Sequence, residues 1–509
     1  MTLSELFPVL LVTIGVFSAL TILVVGWRTK KSCFFISAAT ISVQFIMALF
    51  ILNHVLTVGT IHYWLGGWSP PWGIEYVVDA LNAYILVIVL FICLICAIYS
   101  KRSVEHEIEE SKYVTFYTLF QLIVAGMCGV VVTGDIFNLY VFYEVASLTA
   151  YALIASAGGR AFRASYTYLI MGSIGICFYL LGVGFLYAVT GSLNMRDVSL
   201  LLPPLYGSRV VQAAFVFFFT GLSIKLGLFP LHMWKPDAYT YSPSGISVIL
   251  SAAMSTVTVY VLIRVIYSVF TLEFIRSYVG MDITICWIAA IGIVAGSVLA
   301  IMQHNLKRML AYSSISQMGY FVLGIGLSPI SSWGLLGAVA HLANHTIMKG
   351  CLFMAAGAFI YKYGLWDIRN FEGLGKKMPY ASAAFTLAAI AMIGVPPSAG
   401  FVTKLFLILA SLHSTDVFYG YAYVFVAVIL LSSLLNLVYF WRVIERMYFV
   451  KTEEALNGGV KEGDAPMSML MPMLLLAALS IVIGMLWLTK IPLPLIADVL
   501  SELGLGGLL

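Results

Sequence analysis

Charge is scarce in this 509-residue chain: Lys, Arg, Asp and Glu make up 10% of it, against 61% hydrophobic residues. A soluble domain is nearer half apolar and a quarter charged. With 27 basic and 23 acidic residues a globule of 55.8 kDa cannot be coated, so most of its outer surface faces a medium other than water. That excludes a soluble enzyme and a disordered chain, and the lack of any long one-sign block argues against a nucleic-acid partner. Basic residues are also missing before Arg28, and Glu5 stands where a signal peptide would be positive, so the first apolar run reads as a retained span. Cysteine is sparse and odd in number, at positions 33, 93, 96, 128, 177, 286 and 351, all in or beside apolar runs. Such a set is expected to be buried and is no disulfide framework. Cys93 and Cys96 form a C-x-x-C inside F-I-C-L-I-C-A-I, with no second pair or histidine nearby, which reads as packing rather than metal or redox chemistry. Flavin, nucleotide, iron-sulfur and haem motifs are absent, so no cofactor and no metal is expected.

What is present is a series of lipid-length apolar runs. A helix crossing about 30 Å of hydrocarbon needs about 20 apolar residues. That window gives fourteen spans, near 6–27, 33–57, 76–100, 113–133, 135–156, 164–190, 210–230, 244–270, 279–302, 308–327, 332–361, 380–412, 418–447 and 466–489. The runs are continuous rather than alternating, which excludes a β-barrel. The fold expected is an all-α, polytopic membrane protein. Loops that follow odd-numbered spans hold nineteen Lys and Arg, and the opposite loops hold four, Arg196, Arg209, Arg276 and Lys490. Basic loops stay inside, so both termini are expected outside the cell membrane.

Four basic residues fall within spans: Lys225, Arg264, Lys349 and Lys404. An ionisable group at mid-membrane costs about 2.5–3.5 kcal/mol on insertion scales and is a functional candidate by default. Arg264 is close enough to a span end to snorkel, and Asp79 and Asp135 read as caps or interface anchors. Glu144 lies about ten residues into span 5, too deep to reach the interface easily; a protonated, hydrogen-bonded carboxyl is the alternative to a carrier. Lys225, in G-L-S-I-K-L-G-L-F-P, and Lys404, in G-V-P-P-S-A-G-F-V-T-K, each sit where glycine and proline interrupt a span. Such breaks persist in membranes only where protein or a wet cavity satisfies the freed backbone. Span 11 reads H-L-A-N-H-T-I-M-K-G, with His341, His345 and Lys349 at successive i, i+4 positions on one face. The stripe reads as a proton relay, since histidine titrates near neutrality, with metal binding and plain packing as the alternatives.

Spans 4–8 (113–270) and 9–13 (271–447) are each a five-helix block whose fourth member is broken and carries a lysine. An odd number of helices inverts the second copy, as in many transporters. Residues 1–112 then form three leading spans, and 448–509 a loop and a last span.

The motifs F-N-L-Y-V-F-Y-E-V, S-I-K-L-G-L-F-P-L-H-M-W-K-P-D-A-Y, L-K-R-M-L-A-Y-S-S-I-S-Q-M-G-Y, H-L-A-N-H-T-I-M-K-G-C-L-F and G-V-P-P-S-A-G-F-V-T-K together resemble the antiporter-like proton-translocating subunits. These occur in complex I (NADH-quinone oxidoreductase), in Mrp-type sodium/proton antiporters as the D subunit, and in membrane-bound hydrogenase. The resemblance covers about residues 75–450 in order. It implies a 14-helix fold with inverted repeats and a polar axis running sideways through the membrane, with Glu144, Lys225, His341, His345, Lys349 and Lys404 as its proton-translocating groups. It also implies other membrane subunits as partners, protons and possibly sodium as cargo, and any redox chemistry in those partners. The chain departs from the pattern at Thr256, where the family usually has a lysine; Thr256 and His232 are left as polar relay candidates. Lys235 and Asn305 replace a more usual apolar and acidic residue and are expected near the surface. A different class of function, an autonomous secondary transporter of a cation or small solute, would share the broken helices but work alone.

Overall fold

The computed structural model describes residues 3–280, 282–418, 420–450, 463–489 and 492–503; Lys490, counted among the outer charges, lies outside them. Among the described residues eleven helices are long and apolar enough to cross a bilayer. In chain order these are Leu3–Gly26, Ser32–Thr57, Ala80–Glu107, Tyr113–Val132, Ile136–Ala155, Arg160–Thr190, Arg209–Leu226, Ser244–Val279, Asp282–Ile301, Tyr421–Tyr448 and Met467–Leu488. They coincide with the stretches expected as spans 1–9, 13 and 14. Those expected as spans 10 and 11 are the helices Leu306–Leu327 and Ser332–Tyr363. Span 12 is two half-helices, Pro379–Ile393 and Ala399–His413.

Burial sorts these helices into layers. Spans 8, 10 and 11 are buried almost all round, as expected only of helices enclosed by protein. Spans 1, 2 and 13 instead expose Phe17, Val24, Phe50, Leu430 and Leu434, an apolar rim too large for water and suited to lipid. Span 8 widens to a π-helix over Ile249–Met254. The Leu250 carbonyl there accepts from Tyr239 Oη (2.9 Å) and Ser255 Oγ (3.1 Å), so the loosened turn leaves no buried acceptor bare.

Two backbone crossings recur at matching places in the chain. Between spans 4 and 5, Asp135 bridges Asn194, which follows span 6; Ile136 N donates to Leu193 O (2.9 Å) and Met195 N to Gly134 O (2.8 Å). Between spans 9 and 10, Asn305 bridges Asp367, which follows span 11; Leu306 N donates to Trp366 O (2.9 Å) and Ile368 N to His304 O (2.9 Å). All four residues are also N-caps: the Asp135, Asn194, Asn305 and Asp367 side chains each accept from backbone N–H groups of the helix that follows. Asn305 therefore does the capping work of Asp135 without its charge.

The structure corrects the sequence reading in several places. The fold is predominantly helical as expected, with one addition that the sequence reading did not foresee: Ile61–Trp64 and Glu75–Val78 form an antiparallel hairpin, made possible by aromatic and β-branched residues on either side of a Gly/Pro-rich connection. Burial opposes the charge of Glu75, but bonds from His62 Nδ1 (2.8 Å) and Asn194 Nδ2 (2.9 Å) hold its carboxyl below the usual range. Arg264 does not snorkel. It is buried and donates to Asp79, Asn82 and, at 3.3 Å, Tyr260 Oη, so its charge is met by an ion pair at the head of span 3. Asp79 does cap span 3, accepting from Asn82 N (3.0 Å). Six cysteines are buried, but Cys177 is exposed on span 6: an apolar run tells that a helix is in lipid, not which face it turns outward. Cys93 and Cys96 are free and buried.

Candidate functional site

The site starts at span 5. Glu144, Ser147 and Tyr151 recur at helical spacing and so share a face, and Lys225 from the last turn of span 7 reaches across to all three. Its Nζ donates to Glu144 Oε1 (3.1 Å), Ser147 Oγ (2.9 Å) and Tyr151 Oη (3.4 Å), and sits 5.0 Å from the centre of the Tyr143 ring. The Lys225 side chain is 1% exposed, but that of Glu144 is 20% exposed, on a helix face that also exposes Val141, Val145 and Leu148. Span 7 stops at this point because Gly227 adopts the left-handed conformation (φ +66°). The chain then turns through 228–234 before the half-helix Lys235–Tyr241.

Span 11 supplies the next groups. His341, His345 and Lys349 are buried and stacked along one face, the two imidazoles 5.7 Å apart. Neither ring nitrogen of either histidine has a hydrogen-bond partner among the described residues. Phe321 packs against both rings, at 4.5 Å and 5.5 Å. Lys349 Nζ donates to Leu310 O (3.0 Å) and Ser313 Oγ (2.9 Å) of span 10. From there a chain of polar groups continues: Ser313 Oγ and Tyr439 Oη are 2.8 Å apart, and Tyr439 Oη donates to Asn436 Oδ1 (3.0 Å). Asn436 Nδ2 donates to Met392 O (3.5 Å), a carbonyl that also accepts from Lys404 Nζ (3.2 Å).

Lys404 thus closes the row. It belongs to the second half of span 12 and reaches back to the frayed end of the first, donating to Ile393 O (2.6 Å) as well. Gly394 (φ +91°) ends that first half as Gly227 ends its counterpart. The last carbonyls of a helix lack intrahelical partners and carry partial negative charge, which suits an amine. Asn344 of span 11 ties the second half in place by donating to Ala399 O (2.9 Å) and Thr403 Oγ1 (3.0 Å).

The six residues expected to carry protons thus fall into two hydrogen-bonded groups, Glu144 with Lys225 and Lys349 with Lys404 through Ser313, Tyr439, Asn436 and Met392 O, while His341 and His345 lie on the face of span 11 that carries Lys349, with no hydrogen-bond partner at their ring nitrogens among the described residues. Of the two relay candidates, Thr256 is buried and bonded to Thr346 Oγ1 (2.7 Å), next to His345. His232 lies in the span 7 break, stacked on Phe229 at 5.1 Å, with its Nδ1 unpaired among the described residues. Five hydrogen-bonding participants were missed. Ser147 and Tyr151 could have been found from their spacing to Glu144, and Ser313, Asn436 and Tyr439 had no local signal. Lys235, expected near the surface, is 1% exposed; a composition window cannot see that the half-helix folds back under the break.

Comparison with known proteins gives a consistent answer. The chain is 42% identical to the NADH-quinone oxidoreductase subunit N of Desulforudis audaxviator over 488 residues, 94% of this chain and 95% of that one. It is 31% identical to the D subunit of the Na(+)/H(+) antiporter of Alkalihalophilus pseudofirmus over 82% of each. A chain of the membrane-bound sulfane sulfur reductase, an archaeal respiratory membrane complex, superposes with a TM-score of 0.87 at 32% identity, over 97% of both chains. The family model described as NADH:quinone oxidoreductase/Mrp antiporter, TM, matches residues 133–432, which take in every group of the axis from Glu144 to Lys404, and the chain belongs to that family.

Proposed function

We propose that the chain is an ion-translocating subunit of a multisubunit membrane complex, moving protons along the Glu144–Lys225–Lys349–His345–His341–Lys404 axis while a partner subunit supplies the driving step. The observation that carries this reading is the row itself: three buried lysines and two buried histidines, headed by the part-exposed carboxylate of Glu144, in series across helices that lipid surrounds. Uncompensated charge is tolerated there only in a functional path. Glu144 supports the presence of a partner, since a carboxyl part-exposed on a mid-span lipid-facing surface needs another subunit to cover it. Sodium acting through those neighbours, or a redox reaction in them, would drive the transfer.

At the first break an ammonium and a carboxylate about 4 Å apart attract by ~4 kcal/mol at an effective dielectric of about 20. While Glu144 stays close, Lys225 keeps its proton; when the carboxylate swings toward its exposed side, burial without a counter-charge favours release. The unpaired ring nitrogens of His345 and His341 accept through water, and Lys404, which among the described residues has no carboxylate partner, takes up the proton at the far end. Moving one charge across a membrane at 100 mV opposes ~2.3 kcal/mol, so the carboxylate's motion is of the right size to gate it. The fold is read as fourteen spans with inverted repeats at 113–270 and 271–447, which the paired crossings at Asp135/Asn194 and Asn305/Asp367 support, and with both termini outside the cell membrane. Lys225→Ala in everted vesicles is expected to abolish coupled transport in an assembled complex; transport at the native rate would remove the gating role.

A further inference from the structure

Lys235 takes no part in the mechanism above. A buried amine is costly unless it is paired, yet the described ion pairs give Lys225 its Glu144 and give Lys235 none. Its Nζ donates to one backbone carbonyl, Leu226 O (2.8 Å), and lies 5.5 Å from the centre of the Tyr239 ring. Leu226 is the residue after Lys225, so this amine is tied to the end of the first half of span 7. In the other direction the Tyr239 ring beside it packs edge-on against Phe353 of span 11, 5.8 Å between centres, so the half-helix that carries Lys235 joins the first break to the span that holds His345 and Lys349. The neighbouring span 8 contact cannot hold a proton at neutral pH, because Thr256 has no titratable group; its hydroxyl is bonded to that of Thr346.

The placement of Lys235 also repeats that of Lys404. The stem of each lysine lies over a left-handed glycine at a helix break: a Cβ on Gly227 would come within 2.8 Å of Lys235 Cδ, and one on Gly394 within 3.0 Å of Lys404 Cδ. Each ammonium donates into the carbonyls that end the preceding half-helix. A carbonyl, unlike a carboxylate, holds the charged amine without forbidding the neutral one.

We propose that Lys235 is a proton station between the Lys225–Glu144 pair and the span 11 row. An N–H bond of the Lys225 ammonium breaks and one forms on the Lys235 amine through intervening water; Lys235 then gives a proton to a ring nitrogen of His345 or to the Lys349 amine. One proton moves at each step, and no electron does. This rests on the translocation reading above.

The test separates a carrier from a structural cap. In everted vesicles holding the whole complex, proton transport is measured for Lys235→Met, Lys235→Arg and Lys235→His, with Lys225→Ala alongside. Arginine keeps the charge and the carbonyl contact but does not deprotonate, so a cap survives Lys235→Arg and a carrier does not. The expected result is at least a tenfold loss for Met and Arg at native assembly, with His restoring part of the rate at an optimum shifted to lower pH, since imidazole titrates near 6.5 and an amine near 10.4. Near-native transport by Lys235→Arg overturns the station. If Lys225→Ala is inactive in that case, the translocation reading stands without Lys235; if Lys225→Ala also transports normally, that reading fails as well. Should Lys235→Met not assemble, the Arg variant decides.

Discussion

The two helix breaks do the same thing to the backbone and opposite things to the lysine beside them. Each first half-helix ends on a left-handed glycine, Gly227 or Gly394, and each break leaves carbonyls for a buried amine. Lys225 precedes its break and turns away from those carbonyls toward Glu144 at 3.1 Å. Lys404 follows its break and donates to Met392 O and Ile393 O. One ammonium is therefore met by a carboxylate, and the other by backbone carbonyls and the face of the Tyr320 ring, 5.7 Å from its Nζ. On the proposed reading a path needs both kinds: a controlled donor at one end and a permissive acceptor at the other.

Glu144→Gln removes the difference and should have the largest effect. The glutamine can still accept from Lys225, but the counter-charge is lost, so coupled transport in everted vesicles is expected to fall at least tenfold with the complex intact; a rate within twofold of native would mean the carboxylate does not gate. Tyr439→Phe acts on the second break, leaving Ser313 Oγ and Asn436 Oδ1 without the hydroxyl that joins them. Burying unpaired polar groups costs about 1–3 kcal/mol, so the thermal midpoint in detergent should drop and transport slow severalfold, whereas an unchanged midpoint would show the chain from Lys349 to Met392 to be incidental.

A smaller effect of pH should mark the first half alone. Outside the spans, burial and the neighbouring Asp79 push the Glu502 carboxyl from its ordinary 4.5 up to about 7, against the bonds it accepts from Ala80 N and the pull of Arg264. The docked helix Leu493–Glu502 thus holds the proton more tightly than the undocked one. Docking is strongest below about pH 4.5 and weakens as pH rises through about 7. Hydrogen exchange at that helix and at Ala80 should be faster at pH 8 than at pH 5.5, and Glu502→Gln should flatten the difference; equal rates in the native chain would refute it.

Much of the axis was legible because insertion energetics make charge in an apolar run conspicuous. Glu144, Lys225, His341, His345, Lys349 and Lys404 stood out on that ground alone, and the glycine and proline runs located both breaks. Lys235 and Arg264 were misread for a shared reason: each sits near a span end, where sequence cannot tell an amine in water from one folded back under a helix. The hairpin at 61–78 was lost to the search for lipid-length runs. Ser313, Asn436 and Tyr439 were invisible because their meaning lies in contacts between spans distant in sequence.

Span 11 has a consequence for how the protein is made. It carries His341, His345 and Lys349 in its middle, and protein encloses it on nearly every side. Such a helix has no comfortable resting state among acyl chains, where each central charge weighs against insertion. Its stable insertion is therefore expected to draw on the half-helices of span 12 and on span 10, which pack around it, so a buried helix with three ionisable residues is one whose making depends on its neighbours.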